Sequence, residues 1–177
     1  MEKHIFANPE LCTGCNRCVY VCSAVKEGMF QPSKARIQIN NFPLRGYSVP
    51  SICFQCPKPD CLKACPEEAI TKNDDGIVLV NVEKCNGCGD CVDACAYGMI
   101  EMDTDNIAVK CDYCGGDPAC VKECEPKAIV FVEGDKELRK MKALQMKQRI
   151  ETGSPGEKRH HLAVNHLAQV RPETSVN

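Results

Sequence analysis

The chain has 177 residues, enough for one or two small domains. It has no Trp, 5 Phe and 4 Tyr, which excludes a large aromatic core. Residues 1–135 carry 13 Lys+Arg and 20 Asp+Glu, a balance of −7, and residues 136–177 carry 9 and 4, a balance of +5; these sum to the overall −2, and the acidic main part disfavours nucleic-acid binding.

In chain order, the start MEKHIFANPELC lacks an apolar run, so no secretory signal is expected. No segment approaches the length of a membrane span. A cytoplasmic setting is therefore expected, where clustered cysteines bind metal rather than pair. All sixteen cysteines fall into four groups. The first is Cys12, Cys15, Cys18, Cys22, and the second is Cys53, Cys56, Cys61, Cys65. The third is Cys85, Cys88, Cys91, Cys95, and the fourth is Cys111, Cys114, Cys120, Cys124. After the second group, a turn at Asn73-Asp74-Asp75-Gly76 precedes a strand from Ile77 to Val82. Ala94–Ile100 and Glu125–Val132 repeat the design: a cysteine loop, a short helix carrying the fourth Cys, then a strand. Beyond Asp135, Leu138, Met141, Leu144 and Ile150 form a rough helical stripe. Gly153-Ser154-Pro155-Gly156 breaks it. From His160, apolar Ala163, Leu167 and Val170 recur at helical spacing before Pro172. This basic tail serves no cysteine group, and docking on a partner is expected of it, with disorder as the alternative.

Groups one and three read C-x2-C-x2-C-x3-C, the spacing of bacterial ferredoxin cluster loops. Paired C-x2-C knuckles also suit zinc. A third Cys after two residues and a fourth after three fit a cluster loop better. Sixteen thiolates serve four [4Fe-4S] clusters. Gly14, Gly87, Gly89, Gly115 and Gly116 are expected to let backbone N–H groups approach sulfur. His160, His161 and His166 read as a solvated basic segment, and His4 as incidental. No motif of a catalytic site stands out, so the chain reads as a non-enzymatic carrier.

Residues 48–105 resemble a complete two-cluster bacterial ferredoxin. The nested pattern over about residues 5–135 resembles the four-cluster electron-transfer subunits of molybdenum- and tungsten-pterin oxidoreductases, closest to the iron–sulfur subunit of tungsten-containing aldehyde oxidoreductases. Arg45-Gly46-Tyr47-Ser48-Val49-Pro50-Ser51-Ile52-Cys53 leads into the second group much as in that family. The pattern departs from the simplest ferredoxin in places. Pro follows the fourth Cys directly only at Cys65-Pro66, and groups two and four have longer gaps before their third Cys.

The resemblance implies an α+β fold of two ferredoxin-like units, one inserted in the other, with an extended helical or irregular C-terminal tail. The outer split unit is 1–47 with 106–135, the inner unit is 48–105, and the tail is 136–177. It also implies a crossing in which each fourth cysteine serves the neighbouring cluster. The expected ligand sets are Cys12/Cys15/Cys18/Cys124, Cys22/Cys111/Cys114/Cys120, Cys53/Cys56/Cys61/Cys95 and Cys65/Cys85/Cys88/Cys91. The expected partners are a large pterin-dependent catalytic subunit and a flavin subunit or ferredoxin, with self-association through the tail as a further expectation. The alternatives are a free polyferredoxin shuttle, or the electron-transfer subunit of a benzoyl-CoA reductase or another molybdopterin oxidoreductase.

Overall fold

A computed structural model describes residues 3–170. The fold mixes six helices with eight strands in four antiparallel two-stranded sheets among the described residues. Strand β1 (Lys3–Ala7) pairs with β8 (Ile129–Glu133), Lys3 facing Glu133 and Ala7 facing Ile129. That pairing closes the cysteine-bearing part of the chain on itself. β2 (Ile37–Phe42) pairs with β3 (Tyr47–Ile52) across a turn that Gly46 ends in the left-handed region.

Two further hairpins share one turn chemistry. β4 (Ile70–Lys72) and β5 (Val78–Val80) are joined where Asn73 Oδ1 accepts from Ile77 N at 2.8 Å and Gly76 takes φ +76°. β6 (Ile100–Met102) and β7 (Ala108–Lys110) are joined where Asp103 Oδ1 accepts from Ile107 N at 2.8 Å and Asn106 takes φ +59°. In both, an Asx side chain substitutes for a backbone turn and the fourth residue is one that tolerates positive φ. The strand expected over Ile77–Val82 is shorter, because the Asn73 turn takes Ile77 and the chain leaves the pairing after the Asn81 N–H bond to the Ala69 carbonyl to enter the next cysteine loop.

Helix α1 (Arg17–Glu27) runs three turns until Gly28 stops it at φ +71°. Helices α2 (Asp60–Lys63), α3 (Asp90–Asp93) and α4 (Ala119–Lys122) are single turns. The expectation that each short helix carries the fourth cysteine therefore needs correction. α2, α3 and α4 carry the third one (Cys61, Cys91, Cys120), and Cys65, Cys95 and Cys124 lie in the turn beyond. Pro66 explains the first case, since a residue before proline is driven out of the helical region. Only α1, with no Pro or Gly before residue 28, carries both Cys18 and Cys22.

Buried Ile5, Val19, Ile37, Ile52, Tyr113 and Ile129 form one core, and Ile70, Val78, Ile100 and Ala108 a second. Buried cysteines contribute to both. The expected domain boundaries fall inside hairpins: 47/48 lies within β3 and 105/106 within the β6–β7 turn.

The tail forms α5 (Lys136–Met146) and α6 (Pro155–Val170). α6 begins five residues before the expected His160. Pro155 suits a first helical position, and Ser154 with Glu157 forms a reciprocal cap. Ala163 and Leu167 pack against Tyr47 and Val49 of β3. The side chain of Val170, and Pro172, lie outside the described residues. The buried face of α6 thus rests on its own chain. Covered on both sides, every residue of β3 is buried.

Candidate metal centres

The first cysteine loop opens on a tight turn at Pro9–Leu11, where Asn8 Oδ1 accepts from Glu10 N. Gly14 and Asn16 take positive φ, folding the loop back onto α1. Cys12, Cys15, Cys18 and Cys124 meet there, close enough for each thiol to feel the others' charge. Burial, then Cys12, Cys124 and Cys15, pushes the Cys18 thiol up to about 12.

A second set joins Cys22 of α1 to Cys111, Cys114 and Cys120. These four line a small pocket with Ile37, Ile52 and Pro118. The Arg36 N–H donates to Cys22 Sγ at 3.2 Å. Tyr113 and Cys114 both sit at positive φ, held by Asp112, whose carboxylate accepts from Cys114 N at 3.0 Å and from Lys26 Nζ at 2.6 Å. Against the opposing effect of burial, those bonds hold the Asp112 carboxyl below its ordinary range.

The third set is Cys53, Cys56, Cys61 and Cys95. Burial, then neighbouring thiols, pushes Cys56 and Cys61 up to about 12. The Met99 N–H donates to Cys95 Sγ at 3.3 Å. The fourth set is Cys65, Cys85, Cys88 and Cys91, lining a small pocket with Ile70, Val80 and Ala108. The Ala108 N–H lies 3.5 Å from Cys85 Sγ, and Asn86 Oδ1 accepts from Cys88 N at 3.1 Å.

In these neighbourhoods Cys124, Cys22, Cys95 and Cys65 each stand beside cysteines of another sequence group. The second and fourth sets each line a small pocket, the fourth walled mainly by apolar side chains and the second also by Lys26, Arg36 and Asp112. Among the described residues, no three such side chains converge tightly enough to hold one metal ion. A tetrahedral zinc site would draw its sulfurs to about 3.8 Å apart, from Zn–S bonds of about 2.3 Å. Four cysteine donors around one pocket suit a polynuclear iron–sulfur group. The raised thiol pKa values agree with this. The thiols of Cys18, Cys56, Cys61, Cys91 and Cys111, raised by burial, stay protonated on their own and become thiolates when a cationic centre displaces the protons.

The sets also adjoin one another. Cys120 feels Cys18, linking the second set to the first. Cys111 feels Cys53 most strongly among charged neighbours, linking the second to the third. α2 and α3 each carry a cysteine of the third or fourth set and lead into one of the other. Only Cys15 and Cys88 are exposed among the sixteen, one in the first set and one in the fourth.

The glycines have a further role beside the expected approach to sulfur. The Gly14 N–H does bond Cys12, but a Cβ on Gly14 would lie 2.6 Å from Ser48 Oγ, and one on Gly87 2.6 Å from the Asn106 carbonyl. Both close-pack a cysteine loop against a neighbouring hairpin. The histidines do not gather. His160 lies against Phe42, His161 Nε2 bonds Asn165, and His166 stacks on Tyr47. His166 is half-buried rather than solvated, and burial lowers its pKa. His4 packs edge-on to Phe6 and Tyr113.

Sequence reasoning missed three buried polar residues around the cysteines. Gln55, at φ +47°, donates to the Cys111 carbonyl at 2.7 Å and accepts from Val78 N at 2.8 Å. Lys110 lies beside it. Lys158 of α6 donates to the Asp93 and Cys95 carbonyls at 3.0 and 3.1 Å. Its neighbour Arg159 donates to the Gly98 carbonyl and pairs with Glu101. No local pattern marks these lysines as buried, since most of their acceptors come from distant segments.

Among the described residues, no helix is long and apolar enough to cross a membrane. A family model described as a 4Fe-4S dicluster domain matches residues 44–136, and one described as a 4Fe-4S binding domain matches residues 9–25. The polyferredoxin-like subunit of an aliphatic sulfonate oxidoreductase from Pyrococcus furiosus is 41% identical over 123 residues, covering 68% of this chain and 70% of the relative. A tetrathionate reductase subunit from Archaeoglobus fulgidus is 39% identical over 107 residues, covering 58% of this chain and 50% of the relative. A chain in the BamBC active-site complex of benzoyl coenzyme A reductase aligns with a TM-score of 0.41 at 23% identity, covering 81% of this chain and 87% of that one, a likeness too loose to bear on function. With the family model spanning more than half its length, this chain belongs to the 4Fe-4S dicluster ferredoxin family and takes multiple [4Fe-4S] clusters as its cofactors.

Proposed function

We propose that the chain is an electron-transfer subunit of an oxidoreductase complex and holds four [4Fe-4S] clusters. The observation that carries this reading is the gathering of sixteen cysteines into four adjoining sets, with an exposed cysteine only in the first and fourth. The ligand sets are Cys12/Cys15/Cys18/Cys124, Cys22/Cys111/Cys114/Cys120, Cys53/Cys56/Cys61/Cys95 and Cys65/Cys85/Cys88/Cys91. When bound, the clusters supply one-electron transfer at potentials tuned by hydrogen bonds and burial. The N–H groups of Arg36, Met99 and Ala108, aimed at Cys22, Cys95 and Cys85, supply the hydrogen bonds, and the apolar walls exclude water. Cys15 and Cys88 bring the outer sites to the surface, where a donor or acceptor can approach.

In this reading two ferredoxin-like units are nested, the inner about residues 48–105 and the outer about 1–47 with 106–135. A partner subunit performs the substrate chemistry. We favour a tungsten-pterin aldehyde oxidoreductase partner, with a flavin subunit or ferredoxin at the other end, in the cytoplasm. The support is the resemblance of the cysteine pattern, together with a 41%-identical relative that is itself a polyferredoxin-like oxidoreductase subunit. A benzoyl-CoA reductase or another molybdopterin oxidoreductase is the second reading.

Iron and acid-labile sulfide analysis of the anaerobically purified chain should give 16 of each per chain, four cubes of four. Stoichiometric zinc without sulfide would overturn the cluster reading. Native purification separates subunit from shuttle: the chain should elute with a pterin-containing protein, and elution alone would favour a free polyferredoxin. Deleting residues 136–177 tests self-association, since an unchanged particle size would remove the tail from assembly.

A further inference from the structure

Lys110 ends β7 and is only 7% exposed. An ammonium has three donors and no acceptor. Lys110 Nζ faces three oxygens: the Val78 carbonyl, the Cys111 carbonyl at 2.8 Å and Gln55 Oε1 at 3.4 Å. Three acceptors around one nitrogen are the surroundings of a protonated amine. None of them is a carboxylate, so the hydrogen bonds satisfy the donors while leaving the charge uncompensated. Burying such a charge is expensive unless an anionic group stands nearby.

The surroundings supply that group. Lys110 Nζ touches the backbone carbonyl of Cys111, a second-set cysteine, and Gln55, which lies between Cys53 and Cys56 of the third set, and those cysteines are thiolates once loaded. Gln55 fixes the lysine in place, because its amide bridges the Cys111 carbonyl and the Val78 N–H. The cation is thus held by backbone and amide oxygens at the seam between the two inner cysteine sets, where Cys53 and Cys111 also meet.

We propose that Lys110 is a fixed cation, set between the two inner cysteine sites, that raises the reduction potentials of the clusters held there relative to the two outer ones. Reduction adds a negative charge to a cluster, and a neighbouring positive charge stabilises the reduced form. Between low-dielectric walls that effect is strong, and it fades towards the solvent-facing outer sites. Lys110 acts through the field at the sites and is a positioning residue, not a ligand. The inference rests on the four-cluster reading.

The test uses the full chain, purified with its clusters under anaerobic conditions. Iron content is measured first, then redox titrations followed by EPR. In Lys110→Met, two of the four clusters should titrate at lower potential and two should stay unchanged, at full iron content. Lys110→Arg keeps the charge and should stay close to the native potentials. Should Lys110→Met lose iron, Gln55→Glu sets a carboxylate against the ammonium without removing it, and should lower the same two potentials. Unchanged potentials in a loaded variant overturn the proposal, as do four potentials moving together. An arginine variant shifted as far as the methionine one would make the role one of packing. A native chain with fewer than four clusters would instead sink the cluster reading itself.

Discussion

Gly14 sits at φ +70°, where a β-carbon would strain the backbone and strike Ser48 Oγ at 2.6 Å and Asn41 Oδ1 at 2.8 Å. Gly14→Ala should destabilise the first cysteine loop by about 1–3 kcal/mol. Iron analysis and a thermal melt would show partial iron loss and a lower midpoint, whereas Gly89→Ala, with open space around it, carries only the backbone strain. Lys158 is 2% exposed and satisfies two carbonyls at the end of α3, one of them that of Cys95. Lys158→Met should strand those acceptors and cost about 1–3 kcal/mol, read from a denaturant titration. The cysteines were legible because their spacing is local. The burial of Lys110, Lys158 and Gln55 was not, since each depends on partners from 23 to 65 residues away.

At the scale of elements, turn chemistry decides where each cysteine points. Single-turn helices place Cys61, Cys91 and Cys120, and the turn after each sends the next cysteine to the neighbouring set. The repeat was readable in the chain, but which cysteine rides the helix was not, since a helix end shifts by a residue or two without changing the pattern. The tail is the clearest case of tertiary contact altering a reading. Its helical stripe was visible, yet the surface it covers belongs to β3, over a hundred residues earlier in the chain. Each buried leucine of α6, Leu162 and Leu167, contributes about 1.5–3 kcal/mol before ordering costs. Deleting residues 136–177 should therefore lower the melting temperature and strip amide-exchange protection from Tyr47–Ile52. Full retention of that protection would show that α6 does not hold β3.

For the whole molecule, cohesion comes from small cores shared with cysteine, so the metal centres and the fold stand together. Burial pushes Cys18, Cys56, Cys61 and Cys111 up to about 12 and Cys91 to about 11. The metal-free chain therefore holds these thiols protonated at neutral pH, and loading must release the protons. Iron–sulfide reconstitution should accordingly become more favourable from pH 6 to pH 9, followed by iron uptake and visible absorbance; uptake independent of pH would mean the thiols are already ionised. Chelating the iron should collapse the native circular dichroism together with the absorbance. The sequence by itself determined the four cysteine groups, the turns between them and the kind of group they bind, because ligand spacing and Asx–Gly chemistry act over a few residues. Only the tertiary structure decided which sets adjoin, where Lys110 is buried between them and what the tail covers, because those follow from long-range packing that closes β1 on β8 and lays α6 on β3.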